Sequence, residues 1–373
     1  MIDTKVYRVS FLVANPSGDK IDLATPEHMA NLELSEFAGG LVPIVKATFL
    51  FKEKEYLRTL NEGNVCLIRI SSDESQYAVD YYCRVMRVQI DYDGNNTIQV
   101  KATFCGDYLY FTSNANKRIY KNTSSLGVVA NIARLNELKV LSDIQKTPDV
   151  QNWVQSNCTD YSFLSNVIKH MDLGDNFPLY ALTLSREILL YSSDYVVNST
   201  PVPIGDVGGA YPYLSVSEIF QETYELNRAA GYGLFATEAV AGTDTVNSIE
   251  ELPNTKLYLT SDRLPNADPY TLPKRVGVRM KTENHHENFH KSAMKTVVNS
   301  SITSAFRVKV VIKNAPQIKI FTKVRLFVPD LVKPKSLNNQ LSGDYIVLSK
   351  TLKLTGQELL VELVLGRQSI NYK

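Results

Sequence analysis

The pentapeptide HENFH, at 286–290, holds the residues best spaced for chemistry. Its H-E-x-x-H pattern sets two histidines one helical turn apart, so both rings can reach one zinc ion while the glutamate between them acts as general base. His286, Glu287 and His290 are therefore the candidate metal-site residues, and a zinc metallopeptidase is the chemistry they would perform. The surrounding sequence argues against it. In KTENHHENFHKSAMK the motif is crowded by Lys281, Glu283, Lys291 and Lys295, whereas a zinc-binding helix buried under a cleft is mostly apolar. A catalytic zinc also needs a third protein ligand. The five histidines end at His290, and after Glu287 the next acidic residue is Asp330. The segment is expected to be a solvated or interface loop, with adventitious metal binding by His285, His286 and His290 as a secondary reading. No catalytic residue, cofactor or functional metal is assigned.

The other candidates are weaker. Between 274 and 325 stand twelve basic residues, from Lys274 and Arg275 to Lys323 and Arg325, opposed only by Glu283 and Glu287. Two readings follow: a solvated strand face balanced by acids elsewhere, or an electropositive surface that docks an acidic neighbour. Few aromatics interleave for base stacking, so specific nucleic-acid binding is not expected. VGGAYPYL (207–214) is a glycine turn without the GK[ST] that cradles phosphate. His170, near a helix end, and Trp153 are read as structural, Trp153 as a packing anchor. Cys66, Cys83, Cys105 and Cys158 form no C-x-x-C pair and are read as buried free thiols of a reducing cytoplasm.

Elements must position any such residues. The chain has 373 residues, enough for two to four domains. It is 44% hydrophobic and 21% charged with a formal net charge of +1, the balance of a soluble, core-forming protein. Bulk charge gives no reason to expect a nucleic-acid or membrane partner. The N-terminal apolar run carries Asp3, Lys5 and Arg8, too charged and short for a signal peptide or membrane span.

The first hundred residues read as strands: VYRVSFLV (6–13), VKATFLF (45–51), VCLIRI (65–70), YYCRVMRVQI (81–90) and TIQVKATF (97–104), with Asp93-Gly94 as a hairpin turn. EKEYLRTL (53–60) fits one or two helical turns. From about 114 the period changes to that of helices. SSLGVVANIARLNEL offers Ser124 or Ser125 as N-cap and Leu126, Val129, Ile132, Ala133 and Leu135 as an apolar face. TDYSFLSNVIKHM offers Thr159 as N-cap and a stripe of Phe163, Leu164, Val167, Ile168 and Met171. FPLYALTL and EILLYS form a hairpin about Ser185-Arg186. SVSEIFQETYELNRAA (215–230) is a third helix candidate, and 241–272 is a loop-rich stretch. The last third returns to strands: FRVKVVI, VRLFV, DYIVLSKTLKL and ELLVELVL.

The two β regions superimpose. VCLIRI lies over VRLFV, YYCRVMRVQI over YIVLSKTLKL, and TIQVKATF over ELLVELVL, each unit closing with a hairpin, at Asp93-Gly94 and at Thr355-Gly356. Any two antiparallel meanders share some of this pattern. If the repeat is real, the chain holds two similar small β-barrels, and a trimer of it presents six similar faces.

The stretch QNWVQSNCTDYSFLSNVIKHMDLGDNFPLYAL (151–182) resembles baseplate hub proteins of contractile phage tails, a family that includes the late-control tail proteins and the hub part of type VI secretion spikes. The matching elements are Trp153-Val154-Gln155, Thr159-Asp160 before the helix, Phe163-Leu164 inside it, and the hairpin that follows. GDYIVLSKTLKLTGQELLVELVLGRQ (343–368) also looks like the last barrel of that family.

The resemblance implies an α+β, mainly β fold: two tube-like antiparallel β-barrel domains with an α/β insertion between them. The first barrel spans 1–112 and the α/β domain 113–205. The second barrel is discontinuous, 206–240 plus 296–373, and 241–295 is a loop-rich insertion. It also implies a homotrimeric ring adapting the hexameric tail tube to the trimeric central spike in the tail baseplate of a virion, assembled in the host cytoplasm. Its partners would be itself, the tail tube protein, a central spike protein on a separate chain, and wedge or tape-measure proteins, with no membrane anchor. A tail-associated receptor- or glycan-binding protein is a further alternative.

Overall fold

The computed structural model describes residues 7–14, 20–24, 29–52, 57, 59–72, 77–92, 97–108, 113–205, 211–221, 234–240, 246–249, 274–281, 285–289, 292–293, 295–296, 306–330, 336–338, 340–355 and 358–367. The first part of the chain gives β1 (Arg8–Ala14), β2 (Lys20–Asp22), β3 (Met29–Ala38), β4 (Ile44–Phe51), β5 (Val65–Ser72), β6 (Tyr77–Tyr92) and β7 (Ile98–Gly106). Alternation explains them. In β4, Val45, Ala47, Phe49 and Phe51 are buried, while Lys46 and Leu50 are exposed. Leu57, Thr59 and Leu60 lie in a 3₁₀ turn; the rest of 53–60 is outside the described residues.

The middle section is mixed, as its periodicities predict. It runs β8 (Ala115–Thr123), α1 (Ser125–Leu135), β9 (Lys139–Ser142), β10 (Gln151–Thr159), α2 (Asp160–Lys169), β11 (Pro178–Leu182), β12 (Glu187–Ser192) and α3 (Ser193–Asn198). Ser124 caps α1, accepting from the Gly127 N–H, and Thr159 caps α2, accepting from the Ser162 N–H. The α2 stripe is buried as predicted. On α1 the buried face is rotated slightly: Val128 is inside and Leu135 outside. β11 and β12 form the expected hairpin; the Thr183 N–H donates to the Glu187 carbonyl, and Arg186 closes the three-residue loop between them at φ 59°.

The remainder gives β13 (Val202–Gly205), β14 (Tyr213–Gln221), β15 (Leu234–Val240), β16 (Val246–Ile249), β17 (Lys274–Lys281), β18 (Phe306–Lys313), β19 (Lys323–Phe327), β20 (Gly343–Thr355) and β21 (Glu358–Arg367). Two expectations are corrected. The third helix candidate begins as strand: 215–221 belongs to β14, paired antiparallel with the valine-rich β18, and long-range pairing overrides local helix preference. The rest of that candidate lies outside the described residues. The 241–272 stretch contains strand β16, which with β17 flanks β15 in a separate three-stranded sheet. Of the 206–240 segment, β14 is the strand that joins the sheet built from the C-terminal strands.

The repeat is present in the topology. The first set is hydrogen-bonded in the order β3-β4-β7-β6-β5-β1, and the second in the order β14-β18-β21-β20-β19-β13. Two irregularities match, while a further bulge at Ile219 of β14 has no counterpart in β3. In β6 the register passes from Val85↔Phe104 to Arg87↔Thr103, skipping Met86. In β20 it passes from Val347↔Leu365 to Ser349↔Val364, skipping Leu348. A second bulge skips Ala30 between β3 and β4, and Leu214 at the corresponding place between β14 and β18. Bulges set local bend and twist, so their coincidence means that the two sheets curve alike. The outermost strands differ: β1 runs antiparallel to β5, whereas β13 runs parallel to β19.

The two sets join. β3 pairs with β20 from Leu32↔Leu354 to Phe37↔Ser349, so one sheet runs from β14 to β2. A single core lies under both sets, with Phe11, Phe49 and Phe104 in one and Phe306, Tyr345 and Leu363 in the other. A second core fills the α/β section around Trp153, Leu164 and Ile168. No helix among the described residues is long and apolar enough to cross a membrane.

Candidate functional site

The junction between the two strand sets is the feature around which surfaces can be assigned. Along one edge, β20 pairs first with β19 (Gly343 to Ile346) and then with β3 (Ser349 to Leu354). Leu352 and Leu354 are buried there, 1% and 5% exposed, opposite the buried Leu34 and Leu32. In the first set β6 stands where β20 stands. Its Tyr77–Arg84 portion pairs with β5, but Arg87–Tyr92 finds no partner on that edge among the described residues. Ile90 and Tyr92 occupy the places of Leu352 and Leu354, and they are 41% and 67% exposed. The counterpart of β3 is β14, which pairs with β18 and, among the described residues, with nothing on its other edge. Val216 of β14 stands where Leu32 stands in β3. The chain thus repeats both halves of its internal junction at two separate edges and, among the described residues, leaves both open.

The internal junction carries a buried charge pair. Glu36 and Lys350 face each other in register across β3 and β20. Glu36 accepts from the Leu184 N–H at 3.0 Å, and Lys350 donates to the Pro316 carbonyl. Burial pushes the Glu36 carboxyl up against the opposing pull of Lys350, and burial brings the Lys350 amine down to about 8 although Glu36 favours its charged form. A cavity of about 380 Å³ opens beside them, lined also by Tyr77, Tyr81, Glu187 and Lys319. The Tyr77 and Tyr81 hydroxyls lie 3.3 Å apart, and burial raises the Tyr77 hydroxyl to about 12. The corresponding place in β6 is Val88, half-buried, so this ionic arrangement belongs to the internal junction alone.

The β11–β12 hairpin seals the junction from the α/β side. Ala181 and Leu182 pair with Ala38 and Phe37 of β3, and the Tyr82 N–H donates to the Leu184 carbonyl at 2.8 Å. Arg186 at its tip grips the buried Asp107 with two nitrogens and lies 4.7 Å from the Tyr82 ring centre. Gly40 lies under Tyr180 with φ +76°, and a Cβ there would collide with the ring.

The HENFH segment lies elsewhere, against the α/β section. Phe289 is buried in the second core, stacked 3.8 Å from the His170 ring and 4.0 Å from that of His285, with Trp153 at 6.0 Å. The His286 N–H donates to Gln151 at 2.7 Å, its ring Nε2 lies 3.0 Å from the His170 carbonyl, and Asn288 donates to Asp172 at 2.9 Å. A ring nitrogen that donates to a carbonyl is not turned toward a metal. Glu287 is exposed, and His290 lies outside the described residues. The expectation of a solvated loop is therefore corrected: the segment is docked, because Phe289 gives it an apolar anchor.

The structural readings of Trp153 and His170 fit their places. Trp153 is 3% exposed and donates to the Thr123 carbonyl, and His170 is the C-cap of α2. Five of the twelve basic residues of the 274–325 stretch, all on or near β18 and β19, are paired with acids of other strands. Arg325 and Lys323 pair with Asp344, Lys309 with Glu362, Lys313 with Glu358 and Lys319 with Glu187. The solvated-face reading fits these residues better than an acidic-docking surface; the side chains of β17 lie outside the description. Cys66, Cys83 and Cys105 are buried free thiols, while Cys158 is half-buried.

Sequence reasoning did not single out Glu36, Lys350, Ile90 or Tyr92. The signal for the last two was RVQIDY, where apolar residues continue at alternate positions beyond the end of β5.

No protein-family profile matches the chain, and no curated protein matches it in sequence. Solved structures do match. The 43 kDa tail protein of prophage MuSo2 from Shewanella oneidensis is 10% identical with a TM-score of 0.62, covering 97% of this chain and 98% of its own. A tail protein from Neisseria meningitidis is 11% identical with a TM-score of 0.63, covering 98% of each chain. An E. coli component of the type VI secretion system, itself described as structurally similar to T4 tail proteins, is 8% identical with a TM-score of 0.52, over 93% of this chain and 75% of its own. The chain therefore has the fold of these phage tail proteins, in keeping with the resemblance of its 151–182 and 343–368 stretches to baseplate hub proteins.

Proposed function

We propose that the chain is a structural protein of a phage tail baseplate: the hub, a homotrimeric ring that adapts the six-fold tail tube to the three-fold central spike. The observation that carries this reading is the pair of open edges. The β14 edge of one copy meets the Arg87–Tyr92 edge of the next just as β3 meets β20 inside the chain. Tyr92 then lies opposite Val216, as Leu354 lies opposite Leu32. Internal and intersubunit junctions alternate around the ring, and three copies present six similar sheets. Closure removes sheet edges that would otherwise template aggregation. The solvated face of the joined sheet, with Lys46, Lys101 and Arg87, then lines the channel.

On this reading the first strand set is one tube-like barrel unit and 206–240 with 296–373 supplies most of the second. Its partners are the tail tube protein, a separate central spike and neighbouring baseplate proteins. The likeness to tail proteins over nearly the whole chain supports a structural role and a place in the virion tail rather than an enzymatic one. The test is the mass of the purified chain by light scattering, followed by class-averaged images. A mass three times that of the chain and a ring with six similar lobes is the expected result. A monomer that binds neither tube nor spike protein would refute it.

A further inference from the structure

β8 and β10 form a two-stranded ribbon that pairs with no other strand among the described residues. One face is anchored. Trp153 and Gln155 are buried, Tyr120 stacks on Phe163 at 5.8 Å, and Arg118 binds Asp160 of α2 at 2.6 Å. The other face points outward and alternates along most of each strand. On this face β8 exposes Ala115, Lys117, Ile119 and Lys121, and β10 exposes Asn152, Val154 and Ser156; Asn122 and Asn157, exposed at the register shifts, interrupt the alternation. Ile119 and Val154 are directly opposite each other, 62% and 59% exposed. They form an apolar cross-strand pair turned to solvent, with a lysine on each side and no acid in the row.

We propose that this face docks an extended acidic segment of another protein, one carrying an acidic, an apolar and an acidic residue at alternate positions. The complement follows from spacing. Lys117, Ile119 and Lys121 recur every second residue, which in a strand is roughly 6.5–7 Å, and a partner strand repeats at the same interval. Its apolar side chain covers Ile119 and Val154, and its two carboxylates meet the lysines. The apolar pair supplies the affinity and the charges set the choice of partner. The anchored inner face holds the platform rigid, so little ordering entropy is lost on docking. The surface lies on the α/β section, apart from the edges assigned to ring closure, and stands or falls independently of them.

The test uses the purified full-length chain and three synthetic peptides, titrated by fluorescence anisotropy at low and raised salt. One carries Glu-Thr-Leu-Thr-Glu at its centre, the second replaces both glutamates by lysine, and the third replaces the leucine by serine. The first should bind at least about tenfold more tightly than either other peptide and weaken as salt is raised. The double substitution Lys117→Glu with Lys121→Glu should reverse the order of the two charged peptides. Ile119→Ser should abolish discrimination between leucine and serine while leaving the mass of the particle unchanged. The inference is overturned if no peptide binds or if charge reversal leaves the order unchanged. It also fails if Ile119→Ser dissociates the particle, since the face then contacts a second copy, or if single-stranded DNA displaces the first peptide.

Discussion

At the scale of single residues, the α/β section depends on Asp160. It is 3% exposed and accepts from Arg118, Gln155, Asn136 and Asn116 at 2.6 to 3.0 Å. Burial works to raise its carboxyl, but hydrogen bonds from Arg118, Asn136 and Gln155 outweigh burial and hold it below the usual range. Asp160→Ala should cost about 3 kcal/mol by leaving Arg118 and the amides without their acceptor, measured by urea denaturation. Because this carboxylate is lowered in the folded state, its contribution is full above the ordinary carboxylate value and lost as pH falls through the folded value. Lys350 acts at the other end of the scale. The folded protein releases its proton near pH 8, while the unfolded chain holds it up to about the ordinary 10.5, so stability gains with rising pH in that window. Wild-type melting temperature should therefore rise, relative to Lys350→Met, between pH 8 and 10. An identical pH dependence in the two proteins would refute the buried-amine assignment.

At the scale of elements, two docking contacts hold the α/β section to the rest. The β11–β12 hairpin needs Gly40 beneath Tyr180. Gly40→Ala should destabilise by at least about 1 kcal/mol, from a left-handed backbone alone, and more through displacement of the ring. The docked 285–289 segment needs Phe289 between His170 and His285. Phe289→Ala should cost about 3 kcal/mol and speed amide exchange in 285–289, and should do both more than Glu287→Gln, whose side chain is exposed. A large effect of Glu287→Gln with none of Phe289→Ala would return the motif to metal chemistry.

At the scale of the whole molecule, the proposed assembly rests on the β14 and β6 edges, open among the described residues. Ile90→Asp together with Tyr92→Asp places charge where the internal junction has Leu352 and Leu354. The expected outcome is a monomer by light scattering whose circular dichroism is unchanged, because both residues are exposed in the single chain. Intact trimers of this variant would place the contact elsewhere. In the proposed ring, burial of the two side chains would be worth about 1.5–3 kcal/mol each per junction.

The sequence by itself determined whatever is periodic over a few residues. The β4, β6 and β21 alternations, the caps Ser124 and Thr159, the α2 stripe and the Ser185-Arg186 turn were all legible, because each depends on neighbours along the chain. It also carried the order of the repeat. The tertiary structure alone decided the strand fate of 215–221, the docking of Phe289 and the balance of the basic stretch, because each depends on groups distant in sequence. The joining of β3 to β20 is the strongest case. Which edge a strand offers leaves almost no mark on its pattern, since side chains alternate between faces while edges are defined by backbone donors and acceptors common to every residue. The exposed Ile90 and Tyr92 acquire a meaning only when the buried Leu352 and Leu354 show what the same edge looks like when it is filled.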